Sequence, residues 1–424
     1  MDEFERSPDW RPFLFAPYKS CVQNHNLAVM NVVLFDDNVI RENLLPFTYT
    51  RPVASIRVGI LTIAEKWEHY LEHTISYLTQ DYLQYKFPIK TTADNILING
   101  AVCPTDDMVL AIRQLKKGES LMAGATLVAA RTEDAYSLGT TKFTTKAYSG
   151  ELTLIDQPWR IFQYNGGQIR SDFERVTAGR KSRNIDDPHT RVYGGENIFI
   201  EHGVRLQAAI LNASEGPIYI GPNVQVQEGA IIRGPFSIGA HSVINMGAKM
   251  RADTSIGPHC KVGGEVSNTV MFGFSSKVHD GFLGSSVIGE WCNMGADTNT
   301  SNMKNNYEVV KLYNYPKRGF ISTGLTFCGL MMGDHSKCGI NTMFNTGTVT
   351  GVSANVFGSG YPRNFIPSFA WGGAQGFSTY QLAKVFDTAS KAMERRGQAL
   401  TEVDKKILKH IFDQTAGERM WEKA

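Results

Sequence analysis

A chain of 424 residues with 42% hydrophobic residues has room for two or three domains, each with a full apolar core. Its 43 basic and 41 acidic residues leave a formal charge of +2, which argues against nucleic acid or a membrane surface as a dedicated partner. The six cysteines, Cys21, Cys103, Cys260, Cys292, Cys328 and Cys338, form no C-x-x-C pair. Neither a zinc knuckle nor a disulfide framework is legible, and a reducing, cytoplasmic setting is expected.

Residues 1–29 lack the charged-then-apolar order of a signal peptide and read as a disordered extension, with Met30 as the expected domain edge. No apolar run reaches the roughly 18 residues of a membrane span. Residues 31–35 form a clean strand, 60–79 a helical stretch and 95–100 a second strand. Residues 106–117 are amphipathic, with Met108, Leu110, Ala111 and Leu115 on the apolar side, and 127–130 read as a further strand. This alternation predicts an α/β domain over residues 30–190 built on a parallel sheet.

From Ile220 the pattern changes. Steps of six land on Ile220, Val226, Ile232, Ile238, Ile244, Met250, Ile256 and Val262. Neither the 3.6-residue helical period nor strand alternation explains a strict six. A triangular coil does, with about six residues per face and one aliphatic side chain per face turned inward. Gly221, Gly239 and Gly257 follow three of these residues at 18-residue spacing and are expected to supply backbone freedom at the corners. Small residues (Ala230, Ser242, Ala248, Thr254, Cys260) stand two positions before the inward ones. The period recurs at Met332, Cys338, Phe344, Thr350 and Val356. It slips between Val262 and Ile288 and is lost across 297–322, where loops must leave the coil. A β-helix is therefore expected over residues 195–370. Residues 378–424 read as helices that cap the last coil. Tyr380, Leu382, Val385 and Phe386 form one stripe, and Thr401 with Asp404 makes a capping box ahead of Ile407, Leu408 and Ile411.

The string His279, Leu283, Gly284, Ile288, Gly289, Asn293, Met294, Gly295, Ala296, Thr298 and Asn302 resembles the acetyltransferase domain of the bifunctional bacterial enzymes that make UDP-N-acetylglucosamine. The resemblance covers about residues 250–302, and the rest of the coil by architecture only. It implies a left-handed β-helix that forms a homotrimer, with acetyl-CoA as co-substrate. By it, His279 is the general base, Arg251 holds the sugar phosphate, and Asn293 and Asn302 position the sugar. Gly295, Ala296 and Thr298 would lie along acetyl-CoA. Phe282, Ser267 and Asp297 stand where the family has Tyr, Lys and Gly, and Lys277 or Lys261 is expected to make up the lost phosphate contact. The chemistry is coherent by itself. Histidine titrates near neutrality, a thioester oxygen gaining charge needs a donor, and a phosphate needs cations. His202, His241, His259 and His335 form no tight pair, which argues against zinc.

In the first half, Pro46, Phe47, Thr48, Arg51 and Pro52 resemble the opening of a divergent sugar nucleotidyltransferase group, although its Gly-rich loop is absent. Asn99 with Gly100, and residues 158–162 with Asn165, match later landmarks. Arg41, Arg51 and Arg57 follow the first strand, where an α/β sheet binds ligands, and are expected to clamp a triphosphate with Asn99 and Asn165. Asp36 or Asp37 would supply a carboxylate to Mg²⁺. The same arginines also fit a solvated loop on a domain retained for folding. Together the two resemblances imply acetyl transfer to glucosamine-1-phosphate and then uridylyl transfer from UTP, with only small-molecule substrates as partners besides copies of itself. The alternatives are a nucleotidyltransferase whose β-helix is an oligomerisation or regulatory platform, and a non-catalytic sugar-nucleotide-binding scaffold.

Overall fold

The computed structural model describes residues 31–422. The expected extension over residues 1–29 and Cys21 lie outside them. An α/β unit comes first, a parallel β-helix follows, and two helices close the chain.

The first unit holds a six-stranded sheet in the order Ile75–Leu78, Asn31–Phe35, Asn95–Asn99, Thr126–Thr132, Glu119–Ala123, Thr144–Ala147. Its first three strands are parallel, but Thr126–Thr132 runs antiparallel to both neighbours, so the sheet is mixed rather than parallel. The cause is local. Glu119–Ala123 and Thr126–Thr132 are joined by Gly124 and Ala125 alone, with Gly124 at φ +58°, and so short a connection permits only an antiparallel pair. The stretch read as one helix over 60–79 divides. A capping box of Thr62 and Glu65 opens the helix Ile63–Leu71, Glu72 turns left-handed, and Ile75–Leu78 is a strand. The helix Asp106–Arg113 buries Met108, Val109 and Ile112, while Leu110 is 54% exposed, so its apolar stripe lies off the expected one. Pro158–Thr177, read as nucleotidyltransferase landmarks, is a 20-residue helix with Pro158 in its first turn.

The β-helix has three faces. The first runs over nine parallel strands from Ile198–Ile200 to Phe365–Ile366. The second runs from Arg205–Leu206 to the antiparallel Gly376–Thr379, and the third from Arg191–Tyr193 to Phe282–Gly284. Ile220, Ile238 and Ile256 stack in register 18 residues apart. All eight period-six residues, and the small residues two before them, are buried. The glycines act differently from expectation. Gly239 and Gly257 have no positive φ. A Cβ on them would stand 2.6 Å from Pro258 N and 1.9 Å from Phe272 O, so they are small because adjacent coils touch there. The left-handed backbone falls two residues later, on His241 and His259.

Both breaks in the period have structural counterparts. Ile256 pairs with Met271, fifteen residues on rather than eighteen. Ile288 pairs with Met332, and the excess chain between them carries the antiparallel hairpin Lys311–Asn314 and Gly319–Ser322.

The α/β unit is seated on the first face. Within each strand of that face side chains alternate. Met271, Ile288 and Met332 fill the lumen, while Val270, Phe272, Val287 and Met331 point outward into a core shared with Phe47, Trp67 and Phe162. The closing helices, Leu382–Glu394 and Glu402–Gln414, bury Val385, Ile407, Leu408 and Ile411. Phe412 meets Phe369 of the last coils edge-on at 5.0 Å, and His410 stacks on Tyr82 of the α/β unit at 4.0 Å. The tail thus packs on the coil and also against the first domain. Among the described residues no helix is long and apolar enough to cross a membrane.

Candidate functional site

His279 is exposed on the turn between Ser276–Lys277 of the second face and Phe282–Gly284 of the third. Its backbone carbonyl is held, at 2.9 Å, by Lys277 Nζ. Lys277 itself is 1% exposed and points inward, away from any sugar phosphate. Its ammonium is pushed down to about 8, chiefly by burial, with Asp280 and Asp297 opposing.

Asn293 is exposed on the second face. Asn302 donates to Ser285 Oγ at 3.4 Å, at the root of the hairpin insertion. Thr298 is fully buried and bonds Gly295 O at 2.7 Å, and a Cβ on Gly295 would lie 2.4 Å from Gly339 C. Thr298 therefore builds the coil, while Gly295 and Ala296, whose carbonyl accepts from Asn341 N–H, are part-exposed at the corner. Of the three residues expected along acetyl-CoA, Thr298 has no exposed side chain to offer. Arg251 is exposed, pairs with Glu265 at 3.1 Å and lines a shallow groove on the third face with Arg233 and Lys249. Lys249, Glu265 and Phe282 are successive rungs of that face. Arg251 thus leaves the face two rungs before His279 enters it, on the opposite edge.

In the α/β unit the expected nucleotide contacts are spent on protein. Arg41 is buried and donates to Thr48 O at 2.9 Å and Tyr82 Oη at 2.8 Å. Arg51 is buried against the β-helix, ion-paired with Asp334 and, at 3.3 Å, with Glu290, its guanidinium 5.0 Å over the Phe272 ring. Arg57 donates to Phe272 O at 3.2 Å and to Ile60 O. Asn99 turns the chain by bonding Leu127 O and Ala101 N–H. Asn165 accepts from Gly59 N–H and Ser255 Oγ and donates to Asp253 O, tying the long helix to the coil. In this structure these five residues build the domain and its seat on the β-helix, and their polar atoms are engaged with protein partners. Sequence reasoning missed their partners: Asp334, Glu290 and Ser255 stand on coil corners or faces with no local signal of an ion pair or clamp.

The carboxylates do not fit Mg²⁺. Asp36 accepts from Val53 N–H and Thr79 Oγ1 and is pushed up to about 6 by burial, which those bonds and Arg41 only partly offset. Both of its oxygens are thus taken by protein donors in a side chain only 3% exposed, which leaves no open face for a cation. Asp37 caps a short helix by accepting from Ile40 N–H. Among the described residues no three His, Cys, Asp or Glu side chains cluster to hold a metal.

Residues 32–181 match the family model described as "Sugar nucleotidyl transferase". No curated protein matches the chain significantly. Solved structures similar to it include a UDP-N-acetylglucosamine acyltransferase from Arabidopsis, at 17% identity and a TM-score of 0.23, covering 50% of this chain and 76% of that one. Another is a mutant perosamine N-acetyltransferase from Caulobacter crescentus in complex with CoA and GDP-perosamine, at 14% identity and a TM-score of 0.17, covering 78% and 95%. Likeness at these scores carries no weight for activity. The family match places a sugar nucleotidyl transferase-like domain at the start of the chain.

Proposed function

We propose that the chain acts on hexosamine 1-phosphates in two steps, as in UDP-N-acetylglucosamine synthesis: acetyl transfer from acetyl-CoA on the β-helix, then nucleotidyl transfer from UTP on the α/β unit. The observation that carries the first step is His279, exposed on a turn whose backbone, rather than whose ring, is tied down. In that step the sugar amine attacks the thioester carbonyl, the imidazole takes the amine's proton and returns it to the departing sulfur as the C–S bond breaks, and CoA leaves as the thiol. Arg251 and Asn293 are exposed and available to the sugar phosphate. A homotrimer, with sites between neighbouring copies, belongs to this reading by the acetyltransferase resemblance of residues 250–302. The family match supports the second step.

The burial of Arg41 and Arg51 favours a second reading, in which the α/β unit keeps the family fold as a seat for the β-helix and only acetyl transfer runs. One coupled assay separates them. Glucosamine-1-phosphate, acetyl-CoA, UTP and Mg²⁺ are supplied, and thiol and pyrophosphate release are recorded independently. Both signals support the two-step reading, thiol alone the second, and pyrophosphate alone a β-helix that is only a platform. Neither signal leaves a non-catalytic scaffold. His279→Ala should lower thiol release by about 10²–10⁴-fold, the usual span of general-base catalysis; unchanged release would remove His279 as the base.

A further inference from the structure

Lys277 stands where the coil calls for an apolar rung. It pairs in register with Val262, which is fully buried in the lumen. An ammonium in that position is costly unless all three of its donors are met. They are met by three backbone carbonyls: Gly263 O at 3.2 Å, His279 O at 2.9 Å and Asp280 O at 3.4 Å.

The reason is the slip in the six-residue period. Regular corners between the second and third faces take four residues, as at 245–248 and 295–298. A left-handed residue in each sends its N–H to the preceding coil: Gly247 to Glu228 O, Asp297 to Asp280 O, Asn341 to Ala296 O. The coil through Lys261–Val262 and Glu265–Ser267 passes the corner on Gly263 and Gly264 alone. The turn at 278–281 overhangs this short corner, and the next coil's Asp297 N–H goes to Asp280 O, the third residue of the turn, instead of to the second, His279, as at 228 and 296. Asn245 Nδ2 reaches across two coils to Val278 O at 3.1 Å, and Lys277 takes the carbonyls of His279 and Asp280. A Cβ on Gly264 would come within 2.8 Å of Lys277 Nζ and 2.9 Å of His279 O, so the short corner also has to be glycine.

We infer that Lys277 is a positioning residue whose buried ammonium ties the carbonyls of His279 and Asp280 to that of Gly263 in the coil below and so sets the orientation of His279. This rests on the reading of His279 as the base. It deepens that reading by making the base's geometry depend on a charge that touches neither sugar nor thioester.

The test uses the full chain with Lys277→Met, which restores an apolar rung and removes the charge, and with Lys277→Gln, which keeps two donors. Amide exchange is followed over 263–265, 278–282 and 295–298. The expected result for Lys277→Met is exchange at least tenfold faster in those segments and unchanged over 218–250, with Lys277→Gln between it and the parent. In the thiol-release assay kcat should fall at least tenfold while KM for acetyl-CoA stays within twofold. A purely structural lysine would lower the thermal midpoint and leave kcat of the folded fraction intact, which would overturn the inference, as would unchanged exchange in both variants. Persistence of thiol release in His279→Ala would defeat the base reading alone, and the exchange data would still decide whether Lys277 holds the turn.

Discussion

Arg51→Met tests how the two domains are joined. The guanidinium stands between Asp334 and Glu290, both on the β-helix, in a site where its own side chain is 6% exposed and that of Asp334 is 4% exposed. Removing it leaves two facing carboxylates with no cation between them, and a broken buried pair costs about 3–5 kcal/mol. It also removes the contact with the Phe272 ring. Asp334→Asn should cost less, about half as much. The amide oxygen can still accept from Glu290 N–H while the amide nitrogen donates to Thr50 Oγ1 in place of the second carboxylate oxygen, and Glu290 remains 3.3 Å from the arginine. The double variant should recover to within about 1–2 kcal/mol of the parent, because the remaining carboxylate, Glu290, is 33% exposed and can hydrate. Urea unfolding at pH 7, followed through the six tryptophans, supplies the cycle. An Arg51→Met loss under about 1 kcal/mol would refute the argument that this pair clamps the domains, as would a double variant no better than the sum of the singles.

Gly257→Ala puts a Cβ 1.9 Å from Phe272 O and should cost about 1–3 kcal/mol or more through coil separation. Gly247→Ala meets nothing within 4 Å and should cost only about 1 kcal/mol for its φ of +69°; equal losses of thermal midpoint would contradict the role given to close coil approach. Asp36 has its folded pKa raised from 3.8 to about 6, so the folded state holds that proton more tightly than the unfolded chain. Its favourable contribution is full below about pH 4 and is lost as pH rises through 6, about 3 kcal/mol in all. Asp36→Asn should flatten that part of the urea-midpoint profile between pH 4 and 8, and parallel profiles for the two proteins would show the assignment to be wrong. A site shared between copies predicts a trimer by light scattering, and a stable monomer that still releases thiol would show that no second copy is needed.

What the sequence determined without help is whatever repeats locally. The inward rungs Ile220 to Val262 are all buried as the period requires, and the Thr401 and Asp404 capping box forms as read, because each depends on neighbours one turn or one coil away. The slip after Val262 was visible as a change of phase, but its consequence, a shortened corner with a lysine beneath the next turn, was not. Tertiary structure alone decided where the long polar side chains went. Arg51 reads as a phosphate ligand until Asp334, 283 residues later, is brought against it, and Lys277 reads as a surface cation until the coil turns it inward. Residue type fixes what such a group can bond. The choice between solvent, ligand and a buried partner is made by whichever distant chain excludes the water around it.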